Sequence, residues 1–230
     1  MESIDKINGT FGRKSADAKP DVSPAVIRRL PKYHRCLGDL IRDGKLRISS
    51  SELARIMGVT ASQIRQDLNC FGGFGQQGYG YNIKFLHEKI AELLGVKEGF
   101  RAVIVGAGKL GRALAATHMF ERRGVERMAM SDIDPEVVNT KIYGVPVYHI
   151  NELYSFCKTN NVHIGVLTVP KEAAYEVTDT LIAAGVKGIW NFANMELKLD
   201  NPNVVVENIH LGDSLLALCY EIKTKNGKDD

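Results

Sequence analysis

The stretch Arg101-Ala-Val-Ile-Val-Gly106-Ala-Gly108-Lys-Leu-Gly111 decides the fold of this chain. Ala102, Val103, Ile104 and Val105 form a short apolar run that reads as a buried strand. Gly106, Gly108 and Gly111 complete G-x-G-x-x-G, and Leu110, Ala113, Leu114 and His118 then repeat at helical spacing. Asp132 stands 21 residues beyond Gly111, at the end of a second apolar run, Met128-Ala129-Met130. Strand, glycine turn, helix, strand and acid is the full order of a dinucleotide-binding unit. Gly106 makes the tight turn, Gly108 lets a pyrophosphate approach, and Gly111 permits close packing of helix on strand. Ala107, Lys109 and Leu110 complete the cofactor-binding turn, whose helix N-terminus offers amide donors to phosphate. Asp132 is placed to accept hydrogen bonds from the adenosine ribose hydroxyls. The following Ile133-Asp134-Pro135-Glu136 contains no Arg, which points to NAD(H) and away from its phosphorylated form.

Working outward toward the C-terminus, apolar runs alternate with helical patterns. Residues 145–147, 162–169, 188–192 and 203–206 read as strands, and residues 150–157, 173–184 and 211–222 as helices. This alternation predicts an α/β fold with a mostly parallel, doubly wound sheet, here a Rossmann domain over residues 100–210. The sheet consumes the chain, so no separate substrate domain fits. The six histidines show neither metal-ligand pairing nor an acid partner, and no acid/base constellation is found, so an enzyme is not expected. The enzyme-class alternative is a small NAD-dependent oxidoreductase with an accessory helical domain.

Working outward toward the N-terminus, about a hundred residues precede the fingerprint. Residues 20–84 hold 10 Lys/Arg against 5 Asp/Glu, whereas residues 100–225 hold 13 against 14. A basic excess on the front domain attracts phosphate backbones through counterion release. Ser23-Pro24 reads as a helix start, and Pro31 as the start of a second helix. A serine of the run Ser49-Ser-Ser51 caps a third helix, Gly58 suits a left-handed turn, and Thr60 with Gln63 forms a capping box for a fourth. Ala54, Gly58 and Ile64 have helix-turn-helix spacing, with Ile64 and Leu68 turned inward. Ser62, Gln63, Arg65, Gln66 and Asn69 are then free to face DNA, and Gln, Asn and Arg suit base edges in a major groove. Residues 71–81 interleave five glycines with aromatics and read as a tight hairpin, or wing. The expected layout is a mobile tail (1–19), a winged-helix DNA-binding domain (20–84), a linker helix (85–99), the Rossmann domain, a terminal helix (211–222) and a tail (223–230).

The remaining composition narrows the class. The apolar share is 44%, and no run approaches a membrane span of roughly 18 residues. The first twenty residues contain no signal-like apolar block. Cys36, Cys70, Cys157 and Cys219 are scattered, as expected of reduced thiols in a cytoplasmic protein.

Over roughly residues 22–222 the chain resembles the Rex family of redox-sensing transcriptional repressors. The resemblance rests on Arg29-Leu-Pro-Lys-Tyr-His-Arg35, Ser62-Gln-Ile-Arg-Gln-Asp-Leu68, the aromatic–glycine run 71–81, the fingerprint, Asp132-Ile-Asp-Pro135, Leu167-Thr-Val-Pro170, Gly185-Val-Lys-Gly-Ile189 and Asn191-Phe-Ala193. It implies a homodimeric winged-helix repressor that binds palindromic operators, is released from DNA by NADH, and binds NAD+ without such release. It assigns Ser62, Gln63, Arg65 and Gln66 to the recognition helix, and Arg29 and Arg35 to the DNA backbone. It sends the wing tip into a minor groove, with Gln77 where the family usually has a basic residue. It adds Thr168 and Pro170 to the cofactor site. The terminal helix resembles one exchanged between subunits. Thr117 and His210 stand where the family generally has a Tyr and an Asp that flank the nicotinamide, so the resemblance implies altered discrimination between NADH and NAD+.

Overall fold

The computed structural model describes residues 22–71, 75–76 and 80–226. The expected N-terminal tail and Gln77 lie outside the described residues. The chain divides into two compact units, residues 1–94 and 95–230.

In the first unit, α1 (Pro24–Arg42) starts on Ser23, whose Oγ accepts from the Val26 amide at 3.4 Å. α1 runs unbroken through Pro31, where two helices were expected. A proline inside a helix costs about 3 kcal/mol by removing a donor and crowding the carbonyl four residues earlier. That carbonyl belongs to Ile27, an exposed residue, so water can satisfy it. On the opposite face Leu30, Tyr33 and Leu37 are buried. Burial of such side chains contributes about 1.5–3 kcal/mol each, which outweighs the proline.

β1 (Arg47–Ile48) leads into α2 (Ser50–Met57), capped by Ser49, whose hydroxyl accepts from the Glu52 amide at 3.1 Å. Gly58 closes α2 at φ 68°, the left-handed geometry expected of it. α3 (Ala61–Asn69) is capped by Thr60, which accepts from the Gln63 amide at 3.1 Å. β2 (Gly75–Gln76) and β3 (Gly80–Asn82) form an antiparallel pair, and β1 joins the other side of β3. Gly80 is required there: at φ +69° its Cβ would sit 2.6 Å from the Ile48 carbonyl oxygen. α4 (Ile83–Leu93) covers much of the segment expected to be a linker helix, yet it belongs to the first unit's core. Its Ile83, Leu86 and Ile90 are buried with Leu30, Tyr33, Leu37, Leu53, Ile64 and Leu68. The apolar spacing of three and four residues puts those three on one helical face.

The second unit contains β4 (Phe100–Val105), α5 (Lys109–Ala116), β5 (Val125–Asp132), β6 (Lys141–Ile142), β7 (Val145–His149), α6 (Leu153–Thr159), β8 (Ile164–Leu167), α7 (Lys171–Ala183), β9 (Gly188–Asn191), β10 (Val205–Asn208) and α8 (Leu211–Asn226). Strand order is β10-β9-β8-β4-β5-β7-β6, parallel throughout except for β6 on β7. The crossovers run outward in both directions from β4, so the order reverses between β4 and β8, the point where such sheets bind ligands. One apolar cluster gathers Leu153, Cys157, Val177 and Leu181 against Val103, Val105 and Leu167. Another gathers Ala115 and Phe120 against Ala102, Ile104, Met130 and Val166.

Boundaries differ from the sequence reading where local pattern is weak. A 3-10 turn (Ile150–Glu152) precedes α6 within the expected helix 150–157. β10 lies slightly beyond the expected strand at 203–206, and α8 continues to Asn226, so residues 223–226 are helix and not tail. Every described side chain on α8 through Lys225 is exposed, including Leu211, Leu215, Leu218 and Ile222. No helix among the described residues is long and apolar enough to cross a membrane.

Candidate nucleotide site and nucleic-acid interface

The nucleotide site grows from the ends of β4 and β8. Gly106 leaves β4 at φ +101°, and a Cβ there would lie 2.6 Å from the Thr168 carbonyl oxygen. Thr168 Oγ1 donates toward the Gly106 carbonyl at 2.8 Å and the Val105 carbonyl at 3.0 Å, which ties the glycine turn to the neighbouring strand. A Cβ on Gly111 would collide with the Gly106 carbonyl, so close packing of α5 on the turn requires glycine. Gly108 is different: its Cβ would meet nothing within 4 Å. Its absence serves no contact within the protein and leaves open the space that a pyrophosphate would need. No side chain caps α5, so the amides at its start remain available to an anion.

Asp132 ends β5 beside this turn. One carboxylate oxygen accepts from the Ala107 amide, and the other accepts from the Ile133 and Asp134 amides at 2.7 and 2.9 Å. The carboxylate is oriented before any ligand arrives, and its remaining lone pairs can meet ribose hydroxyls. The cleft measures roughly 380 Å³ and is lined by Gly106, Gly108, Asp132, Thr168 and Pro170 among the expected residues. Its walls are Ile133, Ile150, Leu153, Ala173 and Val177, an apolar slot of the kind that takes a purine. Ser131, also lining the cleft, carries a buried hydroxyl without a hydrogen-bond partner. Its one sequence signal is a polar residue inside an apolar strand, just before the acid. An uncapped helix start, the vacancy at Gly108 and an orphaned hydroxyl beside a pre-oriented acid together fit a dinucleotide.

Lys109 is exposed on the first turn of α5, and Leu110 is partly buried. Arg112 folds back, its Nε donating to the Ala107 carbonyl at 2.7 Å. Thr117 and His210, like Ala107, Lys109, Leu110 and Gly111, are not among the residues that line the cleft. Thr117 caps the C-terminus of α5 and donates to the Leu114 carbonyl at 2.9 Å. His210 Nε2 lies 2.8 Å from Glu196 Oε2, and this hydrogen bond holds the Glu196 carboxyl below its usual range. Both groups are engaged locally. No group of three or more His, Cys, Asp or Glu that could hold a metal occurs among the described residues.

The first unit presents α2 and α3 as a helix-turn-helix. Ile64 and Leu68 are buried, while Ser62, Arg65, Gln66 and Asn69 are exposed on the other face. Arg65 Nη1 donates to Ser50 Oγ at 3.1 Å, which steadies it at the surface. Arg35 is exposed on α1.

Arg29 and Gln63 depart from the simple expectation that both face DNA freely. Arg29 forms a two-pronged ion pair with Asp67, Nε to Oδ2 at 2.6 Å and Nη2 to Oδ1 at 2.8 Å. Gln63 Nε2 donates to Asp67 Oδ1 at 2.7 Å, so its side chain reaches forward to Asp67 instead of back to its own cap. The expected capping box is therefore met on the Thr60 side. Tyr33 Oη donates to Asp67 Oδ2 at 2.8 Å. Asp67 is 1% exposed. Burial pushes its carboxyl upward, but hydrogen bonds from Arg29, Tyr33 and Gln63 outweigh that and hold it below the usual range. Asp67 carries no local sequence signal for this role, because its main partners lie 34 and 38 positions away.

Comparison with known proteins supports both halves. Residues 97–195 match the family model "CoA binding domain", and residues 21–69 match "Putative DNA-binding protein N-terminus". A redox-sensing transcriptional repressor Rex of Caldicellulosiruptor saccharolyticus is 49% identical over 207 residues, 90% of this chain and 94% of that protein. The Rex protein of Clostridioides difficile is 50% identical over 203 residues, 88% of this chain and 96% of that protein. Among solved structures, RSP with beta-NAD+ and operator DNA superposes with a TM-score of 0.84 at 45% identity, covering 90% of this chain and 95% of that one. RSP with beta-NADH gives 0.84 at 42% identity, covering 91% and 98%. With identity of this level across both units, the chain belongs to the Rex family of redox-sensing transcriptional repressors.

Proposed function

We propose that this chain is a DNA-binding repressor of transcription whose hold on palindromic operators answers to the NADH/NAD+ balance. The observation that carries the reading is the joint presence, in one chain, of a helix-turn-helix with a polar outer face and a dinucleotide crevice complete from Gly106 to Asp132. Its relatives include structures with operator DNA, beta-NAD+ and beta-NADH. A transcriptional repressor of this kind works in the cytoplasm, where its operators and its nucleotides are.

Each part has a role in this reading. The amides at the start of α5 and the open space at Gly108 receive the pyrophosphate. Asp132 takes the adenosine ribose, and Ile133, Ile150, Leu153, Ala173 and Val177 enclose the adenine. Thr168 and Pro170 hold the β8 side of the crevice. Arg65, Gln66 and Ser62 face base edges, Gln63 reads from the margin of that face, and Arg35 faces a phosphate. Arg29 serves chiefly to anchor α3 through Asp67. The active species is a homodimer: α8 exposes Leu211, Leu215, Leu218 and Ile222 at spacings of four, three and four, a stripe that a second copy would cover. Two recognition helices then meet half-sites about one turn apart. The nucleotide shifts the dimer between DNA-competent and incompetent states only by its differential affinity for them.

The test is fluorescence anisotropy on a palindromic operator recovered by selection from random duplexes, with NADH, NAD+ or coenzyme A added. Release by NADH alone supports the reading, whereas release by coenzyme A in place of NADH overturns it. A second reading, a repressor with a weakened redox response, is favoured by the local engagement of Thr117 with Leu114 and of His210 with Glu196. Operator binding indifferent to both nicotinamide nucleotides would support that reading.

A further inference from the structure

The cluster around Asp67 reaches beyond anchoring. Its carboxylate accepts four hydrogen bonds: Arg29 Nη2 and Gln63 Nε2 on Oδ1, Arg29 Nε and Tyr33 Oη on Oδ2. A carboxylate can only accept, so the Gln63 amide must turn its nitrogen toward Asp67. Its oxygen is then turned away, and one N–H remains unspent. Gln63 is partly buried beside the exposed Ser62 and Gln66, at the margin of the outer face of α3. An amide that offers one acceptor and one donor in fixed order matches the N6 and N7 groups of adenine in a major groove. A freely flipping amide would present the reverse order as well.

We propose that Asp67 is a specificity-determining positioning residue: it fixes the polarity of the Gln63 amide so that α3 selects adenine at one position of each operator half-site. Arg29 and Tyr33 hold the carboxylate in turn, so α1 sets the orientation of a base-reading group on α3. The depressed ionisation of Asp67 keeps it an acceptor throughout the neutral range. This inference rests on the assignment of α3 as the DNA-reading helix.

The experiment is binding-site selection from a randomised duplex pool with the full-length protein, run on wild type, Gln63→Ala, Asp67→Asn, their double variant and Tyr33→Phe. Thermal melting and NADH titration accompany each. Gln63→Ala is expected to lose adenine preference at one position per half-site by about tenfold. Asp67→Asn should lose it at the same position, because an asparagine amide can donate to the Gln63 oxygen and reverse the pair. It should bind NADH as wild type does, and the double variant should lose no more than either single variant. If Asp67→Asn does not melt cooperatively, Tyr33→Phe decides the matter: it removes one donor, keeps both charges, and should weaken preference at that same position by a smaller factor. A uniform fall in affinity with the adenine preference intact overturns the proposal, since a purely structural role acts that way. Loss of preference at a position that Gln63→Ala leaves untouched overturns it equally. Failure of wild type to select any sequence overturns the DNA-binding reading itself, and is seen before any variant is compared.

Discussion

Gly108 and Gly111 stand three residues apart in one motif and fail in opposite ways when replaced. Gly111→Ala drives a methyl into the Gly106 carbonyl, so it should lower unfolding stability by about 1–3 kcal/mol. A Cβ at Gly108 meets no protein atom within 4 Å, so for Gly108→Val melting should barely change, while NAD(H) affinity should fall about 100-fold, roughly 2.7 kcal/mol. Calorimetric titration together with thermal melting separates the two, and unaltered binding by Gly108→Val would refute the pyrophosphate assignment. Asp67 gives a prediction in pH. Its folded ionisation lies below the unfolded value near 3.9, so its stabilisation is full above about pH 4 and is lost as pH falls through the folded value. Asp67→Asn should therefore be less stable than wild type at pH 7, by about 1–3 kcal/mol, with the gap narrowing below pH 4 in urea titrations. The motif glycines were legible in sequence because their spacing within six residues, between an apolar strand and a helix, is itself the signal. Asp67 was not legible, because two of its three partners, Arg29 and Tyr33, are brought to it by the fold from another helix.

Among the elements, those with strong internal periodicity appear where the sequence placed them: β4, α5, β5 and α7 coincide with their apolar patterns, though α5 stops at Ala116, short of His118. Errors fall where tertiary packing overrides a local signal. Pro31 reads as a break, yet α1 continues because its buried face gains more than the proline costs. The helix after the hairpin reads as a linker by position alone, yet Ile83, Leu86 and Ile90 give it a core face. α8 is the converse, a well-formed helix with no face buried in its own chain. Leu218→Asp, in the middle of the stripe, should weaken self-association about tenfold or more without loss of the Rossmann unit's own fold. Sedimentation against concentration checks this, and an unchanged association constant would remove α8 from the interface.

At the scale of the whole molecule, linkage between two kinds of ligand makes a quantitative demand. If NADH weakens operator affinity by some factor, saturating operator must weaken NADH affinity by that same factor. Titrating NADH fluorescence with and without operator measures it, and unequal factors would mean that a further ligand or assembly step had been missed. The existence of both binding functions was legible from motif order alone. The strength of their coupling was not, because coupling is a difference in affinity between two states of an assembly, which no local pattern carries. The exposed stripe on α8 also carries a genetic consequence. A chain that must pair to hide its leucines pairs with whatever copy is present. An allele whose reading helix is crippled, such as Arg65→Ala, would draw normal chains into mixed pairs with one working head, so repression would fail in a strain that still carries an intact gene.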